Sequence, residues 1–196
     1  MADAAHPQEP RGEAKVPALT ALLQQKFSGQ VLSHHAQHGD ETVVVARARM
    51  LDVMRFLRDD PACRMEFMID LTAVDYLPRK PRFELVVHLK SLSLGHRLRV
   101  KVPVAEEQAE VDSITPLWVA AEWYERECWE MYGIAFKGHP DLRHLLLYEG
   151  FRGHPLRKDY EKGLAQPLVP LRPVRERWDY GERFMPVHPE QEDQAS

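Results

Sequence analysis

The sequence predicts an α+β fold: a mainly antiparallel sheet covered by helices on one face, then a long ordered loop and an extended C-terminal tail. Three observations carry that expectation. Residues 66–75 and 83–89 alternate apolar and polar side chains with the period of a half-buried strand. Residues 96–102 do the same with cations on the outer side, and short connections make adjacent strands of this kind pair antiparallel. Segments with apolar residues three and four apart flank the meander, which is the helical period.

Taken in order, residues 1–17 lack the apolar stretch of a secretory signal, and their acids argue against an Arg-rich presequence, so they read as a disordered lead-in. Ala18 to Phe27 is expected to form a short amphipathic helix with Leu19, Leu22, Leu23 and Phe27 on one side. Thr42 to Ala48 has the β-branched run of a strand, and Leu51 to Arg58 places Leu51, Met54 and Leu57 on one helical stripe. In the next strand Phe67, Ile69, Leu71 and Ala73 are expected inward against Met68, Asp70 and Thr72. Phe83, Leu85, Val87 and Leu89 are likewise set against Glu84, Val86 and His88. After Gly95, the strand with Leu98, Val100 and Val102 inward turns Arg97, Arg99 and Lys101 to solvent, read as protection of a sheet edge.

The last helix is expected to start with Thr115 as N-cap and Pro116 at the first position. Leu117, Ala121, Tyr124, Cys128 and Met131 then share a face, Glu122, Arg126 and Glu130 form an acid-base-acid ladder, and Gly133 ends the helix. Beyond Asp159 the chain turns polar, with Pro167, Pro170, Pro173, Pro186 and Pro189. Leu164, Leu168, Val169, Leu171, Trp178, Tyr180 and Phe184 are spaced along it as anchors for an extended segment that orders on a partner. The organisation predicted is therefore a lead-in over 1–17, an α+β domain over 18–160, and a partner-binding tail over 161–196.

Composition narrows the function. A chain of 196 residues with 44% hydrophobic content supports one domain with extensions. No apolar run approaches the ~18 residues of a membrane span. A net charge of −4 with both signs mixed gives no case for nucleic acid binding. Cys63 and Cys128 stand far apart and read as reduced, buried thiols.

The densest stretch runs from Trp123 to Tyr160. His139, His144 and His154 lie there at spacings of five and ten, which match no compact metal-ligand set. Glu122, Glu125, Glu127 and Glu130 read as members of an ion-pair network with Arg143, Arg152 and Arg157. The competing reading makes Glu125 or Glu127 a catalytic acid with the His-rich loop as its site. There is no glycine-rich phosphate loop, cysteine cluster or local nucleophile-base pair. The residues alone describe a scaffold with no catalytic, cofactor or metal site.

The pattern Glu125-Arg126-Glu127, then Trp129-Glu130-Met131-Tyr132-Gly133, then Gly138-His139-Pro140-Asp141-Leu142-Arg143, then Gly153-His154-Pro155-Leu156-Arg157-Lys158-Asp159-Tyr160 resembles a known signature. It is that of the thirty-kilodalton subunit of NADH:quinone oxidoreductase, respiratory complex I. Glu130 stands where that family usually has Asp, and His144 where a second Arg is common. The resemblance covers roughly residues 20–160 and implies that these residues act structurally, with Glu125, Arg126 and Glu127 joining helix to loop. It implies a subunit of the peripheral arm without a redox centre, packed on the quinone-chamber subunit of the forty-nine-kilodalton type, near the small iron–sulfur (Fe-S) subunit. FMN, Fe-S clusters and quinone would belong to the partners, and membrane association would come only through the complex, on the cytoplasmic side of a bacterial inner membrane. A membrane-bound [NiFe] hydrogenase, or a quinone oxidoreductase with another electron donor, shares the module.

Overall fold

The structure, a computed structural model, describes residues 19–167. The lead-in expected over 1–17 and the tail anchors from Leu168 to Phe184 lie outside the described residues. Chain order is α1 (Leu19–Lys26), β1 (Val31–Gln37), β2 (Asp40–Val45), α2 (Met50–Asp59), β3 (Phe67–Asp75), β4 (Phe83–Lys90), β5 (Arg97–Val104), β6 (Glu110–Asp112), α3 (Ala121–Tyr132) and β7 (Ala135–Lys137). Five strands form one sheet in the order β1-β2-β5-β4-β3, and β6 pairs with β7 in a separate parallel ribbon. The sheet is antiparallel except where β2 meets β5.

One face of the sheet makes the core. Val43, Leu71, Leu85, Val87, Val100 and Val102 lie at most 2% exposed on it, packed with Leu23 of α1, Val53, Met54 and Leu57 of α2, and Ala121 and Cys128 of α3. Full burial of each such side chain contributes ~1.5–3 kcal/mol. Cys63 and Cys128 are free and buried, and burial pushes both thiols up, Cys63 to about 11.

The structure corrects five expectations. The strand β1 was not legible, because all its residues but Val31 are exposed and no alternation marks it. A two-residue hairpin makes it, with His38 and Gly39 both at positive φ, the geometry that suits the twist of paired strands. Next, β5 is no edge: it runs between β2 and β4, so edge protection does not explain Arg97, Arg99 and Lys101. In β3 a bulge between Met68 and Asp70 shifts the register by one residue. Met68 is therefore buried while Phe67 and Ile69 are 48% and 38% exposed. The inward stripe of α2 is Met50, Val53, Met54 and Leu57, with Leu51 at its margin. Finally, α3 starts at Ala121: residues 115–120 form turns, held to the core by Trp118 Nε1 donating to the Met65 carbonyl at 3.0 Å.

Candidate functional site

The signature segment is α3 and the loop that follows it, residues 138–160. This loop has no strand or helix of its own. Its backbone groups need partners, and α3 supplies them.

Three side chains of α3 reach out. The Glu125 carboxylate is fully buried and accepts from Ser113 Oγ (2.7 Å), the Ile114 N–H (2.7 Å) and Thr115 Oγ1 (3.3 Å). Burial raises its pKa, and those three donors and nearby His139 oppose the rise. Thr115, expected as an N-cap, is instead a ligand of this carboxylate. The next residue, Arg126, donates to the carbonyls of Arg143 (3.1 Å) and His144 (2.9 Å), with its guanidinium over the Trp123 ring. Glu130 accepts from the N–H groups of Leu145, Leu146 and Leu147 at 2.9–3.1 Å. Its fourth partner is His144 Nδ1 at 2.9 Å. Burial alone would raise the Glu130 pKa, but the three N–H groups and His144 hold it below the ordinary value. Glu130 and His144, the two positions expected to depart from the family pattern, thus touch one another, and Trp129 packs on the same imidazole at 5.2 Å between ring centres.

The C-terminal end of α3 is closed by the same loop. An α-helix leaves its last four carbonyls without intrahelical donors. Here Gly133 N–H takes Trp129 O, His154 Nδ1 takes Glu130 O (2.8 Å), Leu156 N–H takes Met131 O (3.2 Å) and Arg157 Nε takes Tyr132 O (2.6 Å). Gly133 sits at φ +76, and a Cβ there would lie 2.5 Å from both Arg157 Nη2 and His154 Nε2. Its identity is therefore set twice, by the left-handed conformation and by space. At the far end of the turn Tyr160 stacks on Phe151, beside Gly153 at φ +84.

A second anchor was missed at the sequence level. Arg82, 4% exposed, forks onto Asp75 (Nε to Oδ1 3.0 Å, Nη2 to Oδ2 2.8 Å) and also donates to Asp159 (2.5 and 3.0 Å) and Glu106 (2.6 Å). Asp75 takes the Lys158 N–H as well, at 2.8 Å. Burial would raise the Asp75 pKa, but Arg82 and the N–H groups of Lys158 and Leu77 outweigh it and bring it to about 2. Arg82 in turn is raised by Asp75 and Asp159. One clue was available: continuing the inward series Leu71, Ala73 reaches Asp75, and a carboxylate on the core face requires a buried cation.

Several expected pairings are replaced. The ladder Glu122-Arg126-Glu130 does not form, because Arg126 and Glu130 both turn to the loop backbone. Arg143 pairs with Asp141 and Arg157 lies against the Phe83 ring, so neither joins a glutamate of α3. Glu127 is exposed and makes no hydrogen bond or ion pair among the described residues, so of the trio Glu125, Arg126 and Glu127 only Arg126 reaches the loop. Leu146 is 63% exposed. His139 donates from Nε2 to the Glu122 carbonyl while its Nδ1 accepts the Asp141 N–H, so each of the three loop histidines is engaged with α3 or its own turn. No group of three or more His, Cys, Asp or Glu residues suited to a metal ion occurs among the described residues. Pro140, Leu156 and Lys158 face solvent, and Gly138 turns the chain at φ +83.

Two expectations separate these roles. Glu130→Ala strands three half-buried N–H groups and should cost about 3 kcal/mol, read from the urea midpoint at constant slope. Glu127→Gln should change the same midpoint by less than about 0.5 kcal/mol.

A family model described as respiratory-chain NADH dehydrogenase, 30 Kd subunit, matches residues 43–165. The corresponding NADH-quinone oxidoreductase subunit of Caulobacter vibrioides is 52% identical over 130 residues, 66% of each chain. That of Rhodobacter capsulatus is 49% identical over 146 residues, 74% of this chain and 73% of its own. Among solved structures, the trypsin-resistant fragment (1-134) of Nqo5 is 33% identical with a TM-score of 0.56, covering 63% of this chain and 98% of the fragment. A chain of an archaeal respiratory membrane complex, the membrane-bound sulfane sulfur reductase, shares the fold at 23% identity with a TM-score of 0.61, over 74% of this chain and 84% of that one.

Proposed function

Because this chain belongs to the respiratory-chain NADH dehydrogenase 30 Kd subunit family, we propose that it is a non-redox structural subunit in the peripheral arm of a proton-translocating NADH:quinone oxidoreductase. Electrons pass from NADH through FMN and Fe-S clusters to quinone in neighbouring subunits, while this chain supplies a rigid surface against the quinone-chamber subunit and the small iron–sulfur subunit. It reaches the cytoplasmic side of the inner membrane only as part of that assembly.

The observation that carries this reading is how the signature spends its polar groups. Arg126, Glu130, His154, Arg157 and Asp159 are all used to fix the 138–160 loop onto α3 and Arg82. No group of three or more His, Cys, Asp or Glu suited to a metal ion occurs among the described residues, while Trp123 (60% exposed) and Leu146 stand outward. A loop fastened from inside that turns Leu146 and Leu156 outward near charged side chains, with Trp123 of α3 also exposed, is suited to a subunit contact.

The test measures assembly and turnover together. A strain lacking the chain is complemented with wild type or Trp123→Ala/Leu146→Ala, and NADH:quinone activity is divided by the amount of intact complex. Loss of complex with unchanged turnover per complex is expected. Intact assembly with collapsed turnover would overturn the reading, as would a flavin band or stoichiometric metal in the purified chain.

A further inference from the structure

The three helices pack on one face of the sheet, and no described helix covers the other. Register places Phe67 opposite Lys90 and Lys90 opposite Arg97 at one corner of that other face, with His88 and Arg99 in the next row. Lys101, one row further, is neutralised by Glu84 at 2.7 Å. The others are not: the Arg99 guanidinium donates to the Thr42 hydroxyl at 3.3 Å, and the side chains of Lys90 and Arg97 make no hydrogen bond or ion pair among the described residues. His88 is shifted down, first by burial and then by Arg99, against the pull of Asp70 and Asp40. Cations grouped this way stand against the background of a chain whose net charge is −4.

The corner is also apolar and stiff. Phe67 is 48% exposed there, and the loop from β4 to β5 adds Leu92 and Leu94 at 63% and 44%. Glu66 holds that loop, accepting from the Leu92 N–H at 2.8 Å and from Ser93 Oγ at 2.6 Å. Glu66 is thereby committed to positioning the loop, and Asp70, opposite His88 in the next row, makes no ion pair with Lys90 or Arg97. An aromatic ring and two leucines framed by uncompensated Arg and Lys is the composition of an interface anchor with a charged rim.

We propose that this corner docks an acidic surface of a neighbouring subunit, its carboxylates meeting Lys90 and Arg97 while apolar side chains cover Phe67. The proposal rests on the reading of the chain as a subunit, and β5's central place removes edge protection as the account of these cations. Complementary charge here would set orientation and association rate as well as affinity.

Two measurements on the assembled complex test it. Carbodiimide, which joins an amine directly to a carboxylate, is expected to link Lys90 to an Asp or Glu of another subunit, identified by mass spectrometry. Lys90→Glu/Arg97→Glu should weaken retention about tenfold or more at low salt, by like-charge repulsion. That difference from wild type should shrink above ~0.1 M salt, where screening falls to ~10 Å. Lys90→Arg/Arg97→Lys should behave as wild type, and circular dichroism shows whether the reversed variant is folded. If wild type purifies with NADH-oxidising complex but the reversed variant is retained equally and Lys90 stays open to acetylation, the docking corner is wrong and the subunit reading stands. Loss of binding to phosphatidylserine vesicles with unchanged retention would overturn it in favour of a lipid surface. If wild type itself purifies with no NADH-oxidising complex, the subunit reading fails first and takes the corner with it.

Discussion

Arg82→Met is expected to destabilise the domain by about 3–5 kcal/mol, because it leaves the Asp75 carboxylate buried without its cation. Whole domains are stable by only ~5–15 kcal/mol, so the melting temperature should fall by roughly 10 °C. The loss also removes the Arg82 contacts of Asp159 and Glu106, which leaves the Lys158 N–H on Asp75 as the tie between the 156–160 turn and β3. Asp75→Leu/Arg82→Met, which removes both charges, should recover much of the stability. Equal loss in the single and double variants would show that packing of the arginine stem, not the ion pair, is what matters.

The same pair sets an acid limb. Asp75 has its folded pKa lowered from 3.8 to about 2, so its contribution is fully present above the unfolded value and is lost as pH falls through that window. At ~1.4 kcal/mol per pKa unit this is roughly 2 kcal/mol, lost between about pH 4 and pH 2. Glu130 and Asp159, also shifted down, act with the same sign. Glu125, shifted up, acts with the opposite sign: its ionisation in the folded state is disfavoured as pH rises. Urea midpoints measured through this range should fall toward acid in wild type, and the fall should be shallower in Arg82→Met. An identical limb in both proteins would contradict the assignment.

Gly133→Ala should cost about 2–4 kcal/mol. A left-handed conformation for a residue with Cβ costs ~1–2 kcal/mol. The added methyl then displaces His154 and Arg157, which hold the carbonyls of Glu130 and Tyr132, each bond being worth ~0.5–1.5 kcal/mol. Because Arg157 is flexible at its tip, the sharper reading is local. Hydrogen exchange should quicken at Leu156 N–H, whose acceptor is Met131 O, before it does in the core strands. A loss confined to the strain component, with Leu156 as protected as in wild type, would mean that the loop is held chiefly through Arg126 and Glu130.

The meander β3-β4-β5, helices α1 and α2, the Gly133 stop and the family signature were all legible in the sequence, because each is written in a local pattern. Burial with period two or 3.6 repeats within a few residues, and a left-handed cap needs only one glycine. What the residues did not disclose depends on neighbours far away in the chain. Strand β1 has no buried face to leave a pattern. The parallel pairing of β2 with β5 joins segments over fifty residues apart, for example Val43 with Val100, and turns a presumed edge into the middle of the sheet. The bulge at Ile69 reverses the inward side only before it, where Met68 is buried in place of Phe67 and Ile69 while Leu71 and Ala73 stay inward, and a single extra residue in a strand has no sequence period.

The site divides along the same line. That charged side chains of α3 engage the following loop was the expectation from the signature, but their partners were not readable. Paired charges at helical spacing suggest salt bridges, yet Arg126 and Glu130 bind backbone groups of a loop that has no ladder of its own. Local hydrogen-bond demand, not charge complementarity, decided those contacts. Arg82 meets Asp159 across 77 positions, and Asp75 meets Lys158 across 83. The sequence by itself determined which elements exist and which residues carry charge. Which charges are buried, and against what, was decided only when the tertiary structure removed water from Asp75 and Glu125, because the cost of an unpaired buried charge exists only in the folded chain.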